Sequence, residues 1–413
     1  MEEKKAFKPS ISIMHFTCPP VVGGVESVIA ATARLFANHG YHVGILAGRG
    51  RQFDKRIPVT ILPWLDSKHK ALLDINRGLE QGEVSPDFQR YTQALVLSLR
   101  QQLARFDVCI VHNAFTLHFN LPLTVALHQL VAEGTTRFVA WCHDLSWGNP
   151  LYIPKMREAF PWTLLKQPLE GVRYVVVSQE RQREMAELFG LDRSRLHFVP
   201  NGVDTPRFLK LSPAALRIVE RHDLFDQDLV LLLPARLTAR KNVELAIRVV
   251  AALKERRVKT KLLVTGPPGP HNVHSVDYVD VLCDLRDQLG VRDNVAFLYQ
   301  EVDAGGVPDR VVSDLYAVSD ALFFPSSQEG FGIPLLEAGL MRLPVFCSRI
   351  PPFLEVGRGD VNYFSRDEDP DAIARRLIAL QNDNPSFRLN KRVLREFTWD
   401  KVFQDRIEPL LWN

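Results

Sequence analysis

Residues 321–337 read ALFFPSSQEGFGIPLLE, and this stretch carries the strongest structural signal in the chain. The apolar run at its start predicts a buried strand that ends in a polar loop. The glycines Gly330 and Gly332 allow the backbone to turn sharply and to approach a ligand closely. Pro334 favours the first turn of a helix, where its missing N–H would have no partner. This order of strand, tight turn and helix is typical of an open α/β sheet, which binds ligands at the carboxyl ends of its strands.

Two carboxylates, Glu329 and Glu337, flank the predicted turn. Glu329 would precede the helix and Glu337 would lie about one turn inside it, so both would point toward the same edge of the sheet. The helix start adds backbone N–H groups and the positive end of its dipole, which favour an anionic ligand. An ordinary helix N-terminus with acidic residues in its first turn is the alternative.

The rest of the chain alternates short apolar runs with amphipathic stretches. In the first half, strands are predicted at 11–16, 42–47, 59–62, 107–112, 137–143 and 174–178, with helices near 25–38, 88–104, 119–132 and 179–189. In the second half, strands are predicted at 229–235, 261–266, 294–299, 320–325, 344–347 and 361–365, with helices near 241–256, 276–289, 310–317, 333–341 and 370–383. Such alternation predicts an α/β fold with parallel, doubly wound sheets and right-handed crossovers. Two Rossmann-like domains facing across a cleft are therefore expected.

The boundary between the two halves is predicted just after the turn-rich sequence VPNGVD, residues 199–204. The first domain would then cover residues 1–206 and the second residues 207–395. The remaining segment, residues 396–413, continues an amphipathic stretch and is predicted to be helical.

Two long segments, residues 64–87 and 144–170, fit neither the strand nor the helix pattern. Irregular insertions of this length in a compact domain are often binding loops. The second segment contains Trp147, Tyr152 and Trp162, whose rings could stack on a ligand or cover a binding pocket. Packing of the same rings as anchors of the loop is the alternative.

The bulk composition excludes several classes of protein. A chain of 413 residues with 46% hydrophobic and 24% charged residues is long enough for two globular domains. Its formal charge of +3 is small for this length, so charge alone indicates no nucleic-acid partner.

The cysteines and the first residues bear on location. Five scattered cysteines form no disulfide framework or metal-binding spacing, which favours a reducing compartment such as the cytoplasm. The opening residues, MEEKKAFKPS, are polar and unlike the apolar segment of a signal peptide. No long apolar run predicts a membrane span, whereas peripheral attachment to a membrane and the oligomeric state stay open.

Three further motifs accompany EGFGIPLLE: PARLTARKN (234–242), GGVES (23–27) and VPNGVD (199–204). Together they resemble, in order and spacing, the retaining nucleotide-sugar glycosyltransferases of the GT-B fold, specifically glycosyltransferase family 4. The resemblance covers nearly the whole chain. It implies transfer of a hexose from a nucleoside diphosphate to an acceptor hydroxyl, with the first domain on the acceptor side and the second domain binding the nucleotide sugar. It also implies that the final helix packs back on the first domain.

The resemblance assigns several residues to the diphosphate, whose two negative charges must be neutralised when the glycosidic bond breaks. Arg236 would offer a planar fork for two phosphate oxygens and Lys241 a mobile point charge, and both would be catalytic. Gly23 and Gly24 match the family loop that closes over the diphosphate and the acceptor. Arg240 is expected to be a surface residue.

Other residues would hold the sugar and the nucleoside. Glu329 would accept hydrogen bonds from adjacent ring hydroxyls, which favours a hexose, and Glu337 matches the family residue that holds the ribose. The base would lie against VTGPPG (264–269), which includes Gly266, and near Tyr299. The donor contacts around the turn would be completed by Gly330, Phe331, Gly332 and Ile333. Mannose from GDP-mannose and glucose from UDP-glucose or ADP-glucose are comparable expectations.

In the first domain, His143 ends a predicted strand and matches a family histidine that hydrogen-bonds the transferred sugar near its reacting carbon. His112 is a candidate for the acceptor site, with a satisfied core histidine as an equal alternative. Asp144 could orient His143 or the acceptor. Glu26 either orients the acceptor or is an exposed acid in a first helical turn, and Trp147 is the remaining acceptor candidate.

No metal site is expected. The acidic sequence Asp367-Glu368-Asp369 has a suitable spacing, but it precedes Pro370, so Asp369 is predicted to cap a helix. The resemblance implies that arginine, lysine and helix dipoles neutralise the diphosphate, so that neither a metal ion nor another cofactor is required.

The resemblance implies front-face attack with retention, in which the leaving phosphate takes the proton of the acceptor. A sugar-nucleotide epimerase or a phosphorylase of the same fold is an alternative, although a phosphorylase would need a further lysine for its cofactor. A non-catalytic sugar-nucleotide binding module is another, against which the intact set of Arg236, Lys241, Glu329 and Glu337 argues.

Overall fold

The computed structural model describes residues 8–268, 275–302 and 306–412. The chain divides into two compact units. The first contains residues up to Val203 together with Phe397–Asn413, and the second contains Asp204–Glu396. The sequence pattern had indicated a boundary at 206/207, in the same turn-rich stretch.

The first unit is built on a parallel sheet. Its strands are β1 (Ile11–Thr17), β2 (Val43–Arg49), β3 (Val59–Ile61), β4 (Val108–His112), β5 (Arg137–Cys142), β6 (Val172–Val176) and β7 (Leu196–Phe198). Its helices are α1 (Gly24–Asn38), α2 (Lys70–Glu80), α3 (Pro86–Leu103), α4 (Leu121–Glu133) and α5 (Gln179–Phe189). The described strands follow the order β3-β2-β1-β4-β5-β6-β7, and all neighbours are parallel.

The second unit repeats this plan. Its strands are β8 (Leu229–Leu233), β9 (Thr260–Val264), β10 (Val295–Phe297), β11 (Ala321–Phe324), β12 (Val345–Ser348) and β13 (Asn362–Phe364). Its helices are α6 (Thr205–Phe208), α7 (Pro213–Arg221), α8 (Val243–Glu255), α9 (Ser275–Gln288), α10 (Asp309–Val318), α11 (Ile333–Leu340), α12 (Pro351–Gly357), α13 (Pro370–Asp383) and α14 (Pro385–Glu396). The described strands run in the order β10-β9-β8-β11-β12-β13, again all parallel.

In each sheet, successive strands are added first toward one edge and then toward the other. This change occurs between β1 and β4 in the first unit and between β8 and β11 in the second. The central strands are buried on both faces because helices cover a doubly wound sheet on each side, so they are continuous apolar runs. A reversal of strand order opens a crevice at the carboxyl ends of the two strands, where ligands of such sheets bind. The reversals therefore mark the two places to examine for function.

The C-terminal segment belongs to the first unit. Helix α15 (Trp399–Val402) continues into a π-helical turn, Phe403–Ile407, and a 3-10 turn, Glu408–Leu411. Phe403 and Ile407 are fully buried and share a core cluster with β1 and β2. The segment is helical, as its pattern indicated, although only its first turn is α-helical.

All of the strands predicted from apolar runs form, and the α/β prediction with two doubly wound, Rossmann-like domains is confirmed. Strand β10 ends at Phe297 instead of continuing to 299, because a 3-10 turn follows it at once. The short strand β7 and the helices α2, α6, α7, α12 and α14 were not predicted. The view of residues 64–87 as irregular was wrong in part, since helix α2 occupies the middle of that segment.

Among the described residues, no helix combines the length and the apolar character needed to cross a membrane.

Candidate active site

The strongest candidate site lies at the strand-order reversal of the second unit. The loop after β8 carries Arg236, Arg240 and Lys241, and the loop after the neighbouring strand β11 carries Glu329. The two loops are tied together by their backbones, since Ser327 N–H donates to the Arg240 carbonyl at 2.7 Å. Parallel strands present their carboxyl ends at one edge, so sequence segments about ninety residues apart meet here.

Lys241 and Glu329 form an ion pair in which Lys241 Nζ donates to Glu329 Oε1. Both side chains are largely shielded, with 10% and 11% of their surfaces exposed. Arg240 Nη1 reaches the other oxygen, Oε2, at 3.2 Å and the Gln328 carbonyl at 3.1 Å. The carboxylate is therefore bound by two cations, one on each oxygen.

This arrangement adds two contacts to what was expected of Arg240. Its side chain is half exposed, as a surface residue would be, but it also holds Glu329 and joins the two loops. The contact with Glu329 could not be predicted, because sequence spacing does not say which arginine turns toward the next loop.

The ion pair shapes the acidity of both partners. Burial lowers the pKa of Lys241, and the hydrogen bond to Glu329 opposes that effect. Burial by itself would raise the pKa of Glu329, but the bond from Lys241 and the charges of both cations bring it below the usual value for a glutamate. Glu329 is thus held as a carboxylate that accepts hydrogen bonds, and it is poorly suited to donate a proton.

Arg236 differs from its neighbours in the loop. Its side chain is exposed, and among the residues that the structure describes it has no hydrogen-bond or ion-pair partner. An unpaired guanidinium in the loop that also carries Lys241 remains available for an anion.

Gly266 allows two loops in the same region to pack closely against each other. A side chain there would clash with the backbone at Ala235, and Gly266 N–H donates to the Ala235 carbonyl at 3.1 Å. Leu237 N–H reaches the Pro267 carbonyl at 3.1 Å. Gly266 thus packs the loop after β9 against the loop that carries Arg236. Its predicted contact with the base stays a prediction, and residue 269 of the same motif lies outside the described residues.

The turn before α11 is formed as its sequence indicated. Gly332 adopts a φ of 113°, a conformation that favours glycine, and Pro334 lies in the first helical turn. Phe331 and Ile333 expose 50% and 60% of their surfaces, and Gly330 is exposed as well. Backbone and side chains of this turn are therefore accessible to a ligand.

Glu337 is held by a residue that the sequence did not point to. The buried hydroxyl of Tyr316, on α10, donates to Glu337 Oε2 at 2.7 Å. Burial, and then the Glu337 carboxylate, raise the pKa of Tyr316, so that it stays a neutral donor. Among the described contacts Glu329 and Glu337 share no partner: one carboxylate is fixed by the loop after β8 and the other by α10.

The residues expected near the base have local roles. Tyr299 is partly buried against the core, and its hydroxyl accepts a bond of 3.1 Å from Gln300. Glu301, two residues after Tyr299, is bound by His222 Nε2 at 3.0 Å and by Arg221 at 3.5 Å. The predicted contact of Tyr299 with a base stays a prediction.

In the first unit, three histidines meet at the strand-order reversal. His15 lies in β1, His112 ends the adjacent strand β4, and His143 follows β5. His112 Nδ1 and His143 Nε2 are 2.9 Å apart, and their rings stack with centroids 5.2 Å apart. His15 Nδ1 donates to the His112 carbonyl at 3.0 Å, which fixes the tautomer of His15.

Burial keeps these imidazoles neutral. It lowers the pKa of His143 to about 3, with a smaller contribution from the charge of His15. Burial also lowers the pKa values of His15 and His112. His112 Nε2 is buried without a hydrogen-bond partner in the described part of the chain. A neutral His143 can exchange hydrogen bonds with a sugar hydroxyl but cannot serve as a fixed cation.

His15 and Asn113 had not been predicted. Asn113 adopts a positive φ of 63° and accepts the His143 backbone N–H at 2.8 Å through its Oδ1, so it sets the loop that carries His143. His15 could have been found by applying the carboxyl-edge rule to β1, whereas Asn113 gave no signal beyond its tolerance of left-handed backbone.

Asp144 does not orient His143. Its carboxylate lies 3.7 Å from Arg181 Nη2, and its side chain is half exposed. The ring of His143 is bound by His112 instead. The acceptor role of Asp144 stays a prediction.

Glu26 is not the exposed acid that one alternative described. It is buried, and its Oε1 accepts a hydrogen bond from the Thr17 hydroxyl. It also occupies the space that a side chain on Gly23 would need, whereas Gly24 has open space around it. Gly23 therefore makes room for Glu26 at the start of α1, and contact of this turn with a diphosphate stays a prediction.

Trp147 anchors its loop, as one alternative held, and its role at the acceptor stays a prediction. It packs against the core of the first unit, and its Nε1 donates to the Trp162 carbonyl at 3.1 Å. Lys166 Nζ lies 4.4 Å from the centre of its ring. The loop 144–170 is irregular as predicted, with three short 3-10 turns.

In the described ranges, no group of three or more His, Cys, Asp or Glu side chains could hold a metal ion. Asp369 caps α13 by accepting the Asp371 backbone N–H at 3.1 Å, as predicted. Glu368 is paired with Arg376 at 3.1 Å.

The fold and the site define a class of protein: two Rossmann-like units, one of which holds a cation-bound carboxylate at its strand-order reversal. Two family models match this chain and together cover most of it. Glycosyltransferase Family 4 matches residues 22–207, and Glycosyl transferases group 1 matches residues 216–393. The chain belongs to this glycosyltransferase family, and the expected GT-B fold class is confirmed.

The curated relatives include a synthase and two mannosyltransferases. The chain is 25% identical over 302 residues to the mannosylglucosylglycerate synthase of Petrotoga mobilis, covering 69% of each chain. It is 28% identical to the O-antigen chain mannosyltransferase B of Escherichia coli, over 64% of this chain and 67% of the relative. It is 29% identical to the GDP-mannose-dependent alpha-(1-6)-phosphatidylinositol monomannoside mannosyltransferase of Mycolicibacterium smegmatis, over 58% of this chain but only 59% of that relative.

Solved structures resemble the chain over nearly its whole length. Anabaena HepE in complex with UDP-glucose is 16% identical, with a TM-score of 0.36 over 97% of this chain and 99% of that chain. WaaG, a glycosyltransferase involved in lipopolysaccharide biosynthesis, is 17% identical, with a TM-score of 0.35 over 95% of this chain and 99% of that chain.

Proposed function

We propose that this protein is a retaining hexosyltransferase that moves a mannosyl or glucosyl group from a nucleoside-diphosphate sugar to an acceptor hydroxyl. The observation that carries the proposal is the group of Arg240, Lys241 and Glu329 at the carboxyl ends of β8 and β11, with Arg236 in the same loop as the first two. The names of the relatives, which transfer mannosyl and other glycosyl groups, support the same reaction.

The charges of this group suit a diphosphate. Arg236, Arg240 and Lys241 bring three positive charges and Glu329 one negative charge, which leaves an excess of two. That excess matches the two negative charges of a nucleoside-diphosphate sugar. Arg236 binds the phosphates from solvent, and Lys241, shielded over the Phe324 ring at 4.9 Å, binds them where the dielectric constant is lower.

Glu329 serves the sugar. Held by two cations, it stays ionised and accepts hydrogen bonds from hexose hydroxyls. Because the same Lys241 contacts both this carboxylate and the diphosphate, the lysine couples the position of the sugar to that of its leaving group. Glu337, fixed by Tyr316, keeps one carboxylate oxygen for the ribose.

The reaction proceeds without a protein nucleophile. The bond from the anomeric carbon to the diphosphate oxygen breaks while the acceptor oxygen bonds the same carbon from the same face. The acceptor proton moves to the departing phosphate oxygen. Neutral His143 donates or accepts a hydrogen bond on the sugar near that carbon. Catalysis then consists of positioning and of stabilising the charge on the leaving group.

The first experiment is a thermal-shift screen of the whole chain against GDP-mannose, UDP-glucose and ADP-glucose. A donor at 100 times its Kd should add about 2.7 kcal/mol to the free energy of unfolding. The stabilising donor is then incubated alone and with a panel of acceptors, and the product is examined by NMR. Acceptor-dependent product with the anomeric configuration of the donor supports the proposal. A changed sugar from donor alone indicates an epimerase, and binding without turnover indicates a binding module.

We also propose the cofactor requirement, the cellular compartment and the partners of the enzyme. Neither a metal ion nor another cofactor is required, so excess EDTA should leave the transfer rate unchanged. The reaction takes place in the cytoplasm, in keeping with five free cysteine thiols. Its partners are the nucleotide sugar and the acceptor, without nucleic acid.

A further inference from the structure

His112 is a buried histidine that the proposed mechanism does not use. It ends β4, lies opposite Trp141 of β5, and none of its surface is exposed. Its ring is nearly parallel to those of Trp141 and His143, with centroids 5.4 Å and 5.2 Å away and interplanar angles of 21° and 20°. The His15 ring meets it edge-on, with centroids 6.3 Å apart. Packed against three rings, the His112 side chain has no room to turn.

Only one ring nitrogen of His112 has a partner among the described residues. Nδ1 lies 2.9 Å from His143 Nε2. Nε2 is buried and lacks a hydrogen-bond partner in the same part of the chain. Burial, with smaller effects from the charges of His143 and His15, lowers the pKa of His112 well below its usual value. The ring is therefore neutral near pH 7 and carries a single N–H.

The proton of His112 belongs on Nδ1. With the proton on Nε2, a buried N–H donor would have no acceptor. With the proton on Nδ1, the same buried position holds only a lone pair without a donor. Orphaned buried N–H groups are rarer in folded proteins than acceptors that lack a donor, because an unmade bond to the N–H is costly. His112 Nδ1–H therefore donates to His143 Nε2.

This hydrogen bond decides the tautomer of His143. That ring is neutral too, since burial lowers its pKa to about 3. Its Nε2 accepts from His112, so its single proton is on Nδ1. Nδ1 has no hydrogen-bond partner among the described residues, and the His143 side chain is only partly buried. His143 thus offers an N–H donor, and not a lone pair, to a ligand.

The backbone of His143 is fixed by the residue after His112. Asn113 Oδ1 accepts the His143 N–H at 2.8 Å, and Asn113 N–H donates to the Trp141 carbonyl at 3.0 Å. The His112 carbonyl accepts the Nδ1–H of His15 at 3.0 Å. Two adjacent residues, His112 and Asn113, therefore fix the ring and the backbone of His143.

We propose that His112 is a positioning residue for the transfer reaction: its Nδ1–H holds His143 as the tautomer that donates from Nδ1 to an oxygen of the transferred sugar. This role rests on the proposed function for the sugar, whereas the hydrogen bond and the tautomer do not depend on it. It narrows His143 to a donor. It also gives His112 a role other than contact with the acceptor, since none of its surface is exposed.

Two substitutions separate the hydrogen bond from the packing of the ring. His112→Phe keeps an aromatic ring against Trp141 and removes the donor. His112→Asn loses the ring, but its side-chain amide nitrogen is as many bonds from Cα as Nδ1 of histidine and can donate from the same place. A role through the hydrogen bond makes His112→Asn the milder substitution, and a role through packing makes His112→Phe the milder one.

His128→Phe is the matched control. His128 is a partly buried histidine of α4, in the same unit, and among the described contacts it has neither a hydrogen bond nor a ring contact with His143. The same change of side chain at this position therefore reports on general effects of losing a histidine from the first unit.

The first measurement needs neither donor nor transfer. Long-range proton–nitrogen correlation spectra of the chain labelled with nitrogen-15 in its histidines distinguish protonated from unprotonated imidazole nitrogens, and His143→Gln identifies the His143 signals. We expect Nδ1 of His143 to be protonated in the unchanged chain and in His112→Asn. In His112→Phe the Nε2-protonated form, which predominates for free histidine, should appear. Protonation at Nε2 in the unchanged chain, or an unchanged tautomer in His112→Phe, would overturn the proposal.

The second measurement is steady-state transfer with the donor found in the thermal-shift screen. We expect kcat/KM for the donor to fall about three- to tenfold in His112→Phe, the size of one lost hydrogen bond, and to stay within about twofold of the unchanged chain in His112→Asn and His128→Phe. A value for His112→Phe equal to or above that for His112→Asn would refute the positioning role. If His112→Phe does not fold, the tautomer in the unchanged chain and the activity of His112→Asn decide.

The two measurements also separate this role from the proposed function. The Nδ1 tautomer without any transfer would retain the hydrogen bond and reject the proposed function. Transfer by a chain whose His143 carries its proton on Nε2 would reject the positioning role alone.

Discussion

At the scale of single residues, the chemistry of the second unit depends on how one carboxylate is held. A single glutamate in a polar loop, such as Glu329 without its partners, would be weak evidence for a binding site. Bound by Lys241 and Arg240, it becomes a fixed acceptor beside a group of cations. Because the pair is shielded from water, each partner is positioned by the other before any ligand arrives.

Removal of the cations should slow turnover. We expect Arg236→Ala and Lys241→Ala each to lower kcat by about 100- to 1000-fold, because a preorganised donor to the leaving group is lost. The measurement is steady-state transfer with the donor found in the thermal-shift screen. Arg248→Ala, at an exposed arginine of α8, is the control and should behave like the unchanged chain. Near-normal turnover in both site variants would refute the diphosphate assignment.

The histidine cluster should make the first unit sensitive to acid. In the unfolded chain the His143 imidazole titrates near pH 6.5, whereas in the folded chain burial lowers its pKa to about 3. Between these values the unfolded state binds a proton that the folded state does not, so stability is full above pH 6.5 and falls as the pH drops. At pH 5 the loss from one such histidine is about 2 kcal/mol.

The variant His143→Gln tests this linkage. Hydrogen exchange of the β4 and β5 amides at pH 7.5 and pH 5.0, corrected for intrinsic rates, gives the opening free energy at each pH. The difference between the two pH values should be smaller in His143→Gln by about 2 kcal/mol. An equal difference in both proteins would show that His143 is not neutral in the folded unit.

At the scale of elements, α14 shows how a polar helix is attached to a core. Its sequence, PSFRLNKRVLRE, lacks a broad apolar stripe, which is why it was not predicted. Lys391 from this helix reaches Asp320 Oδ2 at 2.7 Å, with 8% and 7% of the two side chains exposed. The same oxygen accepts the Val230 backbone N–H at 2.7 Å, so one buried pair connects α14, β8 and the start of β11.

Breaking this pair should destabilise the second unit. Burial raises the pKa of Asp320 and Lys391 opposes that shift, so Lys391→Met leaves a buried carboxyl without its counter-charge. We expect a loss of about 3–5 kcal/mol in the urea-induced unfolding of this unit.

The double variant Asp320→Asn/Lys391→Met is the control for that prediction. It removes the buried charge but keeps an acceptor for Val230 N–H, so most of the lost stability should return. A double variant as unstable as Lys391→Met would mean that packing of the lysine stem, and not the charge, holds α14.

At the scale of the whole molecule, the chain passes between the two units twice. The two passages lie side by side: Val203 N–H donates to the Phe397 carbonyl at 2.7 Å, and Trp399 N–H donates to the Val203 carbonyl at 3.2 Å. Gly202 permits this contact, because a side chain there would lie 2.9 Å from the Trp399 Cα. The last residues of the chain therefore complete the core of the unit that contains its first residues.

A single substitution should show that the two units unfold separately. Phe403 is fully buried against Phe36, with ring centroids 5.3 Å apart, and Phe403→Ala should cost the first unit about 3–5 kcal/mol. Hydrogen-exchange mass spectrometry should find protection reduced in β1–β7 and retained in β8–β13. Equal losses in both sets of strands would mean that the whole chain unfolds as one cooperative unit.

The sequence by itself determined the strands, the alternation of strands and helices, and the motifs. Buried parallel strands need continuous apolar runs, and tight turns need glycine and proline. The local sequence is therefore enough to predict features such as the strand Leu229–Leu233 and the turn at Gly332. Helices α2, α6, α7, α12 and α14 were not predicted because short or polar helices draw their stability from tertiary packing.

Only the tertiary structure decided the partners of the site residues. Arg240 binds Glu329, Tyr316 binds Glu337, and His112 binds His143, and none of these pairs is close in sequence. Such pairs form where parallel strands bring distant segments to one edge of a sheet, and sequence spacing gives no information about which side chains then meet.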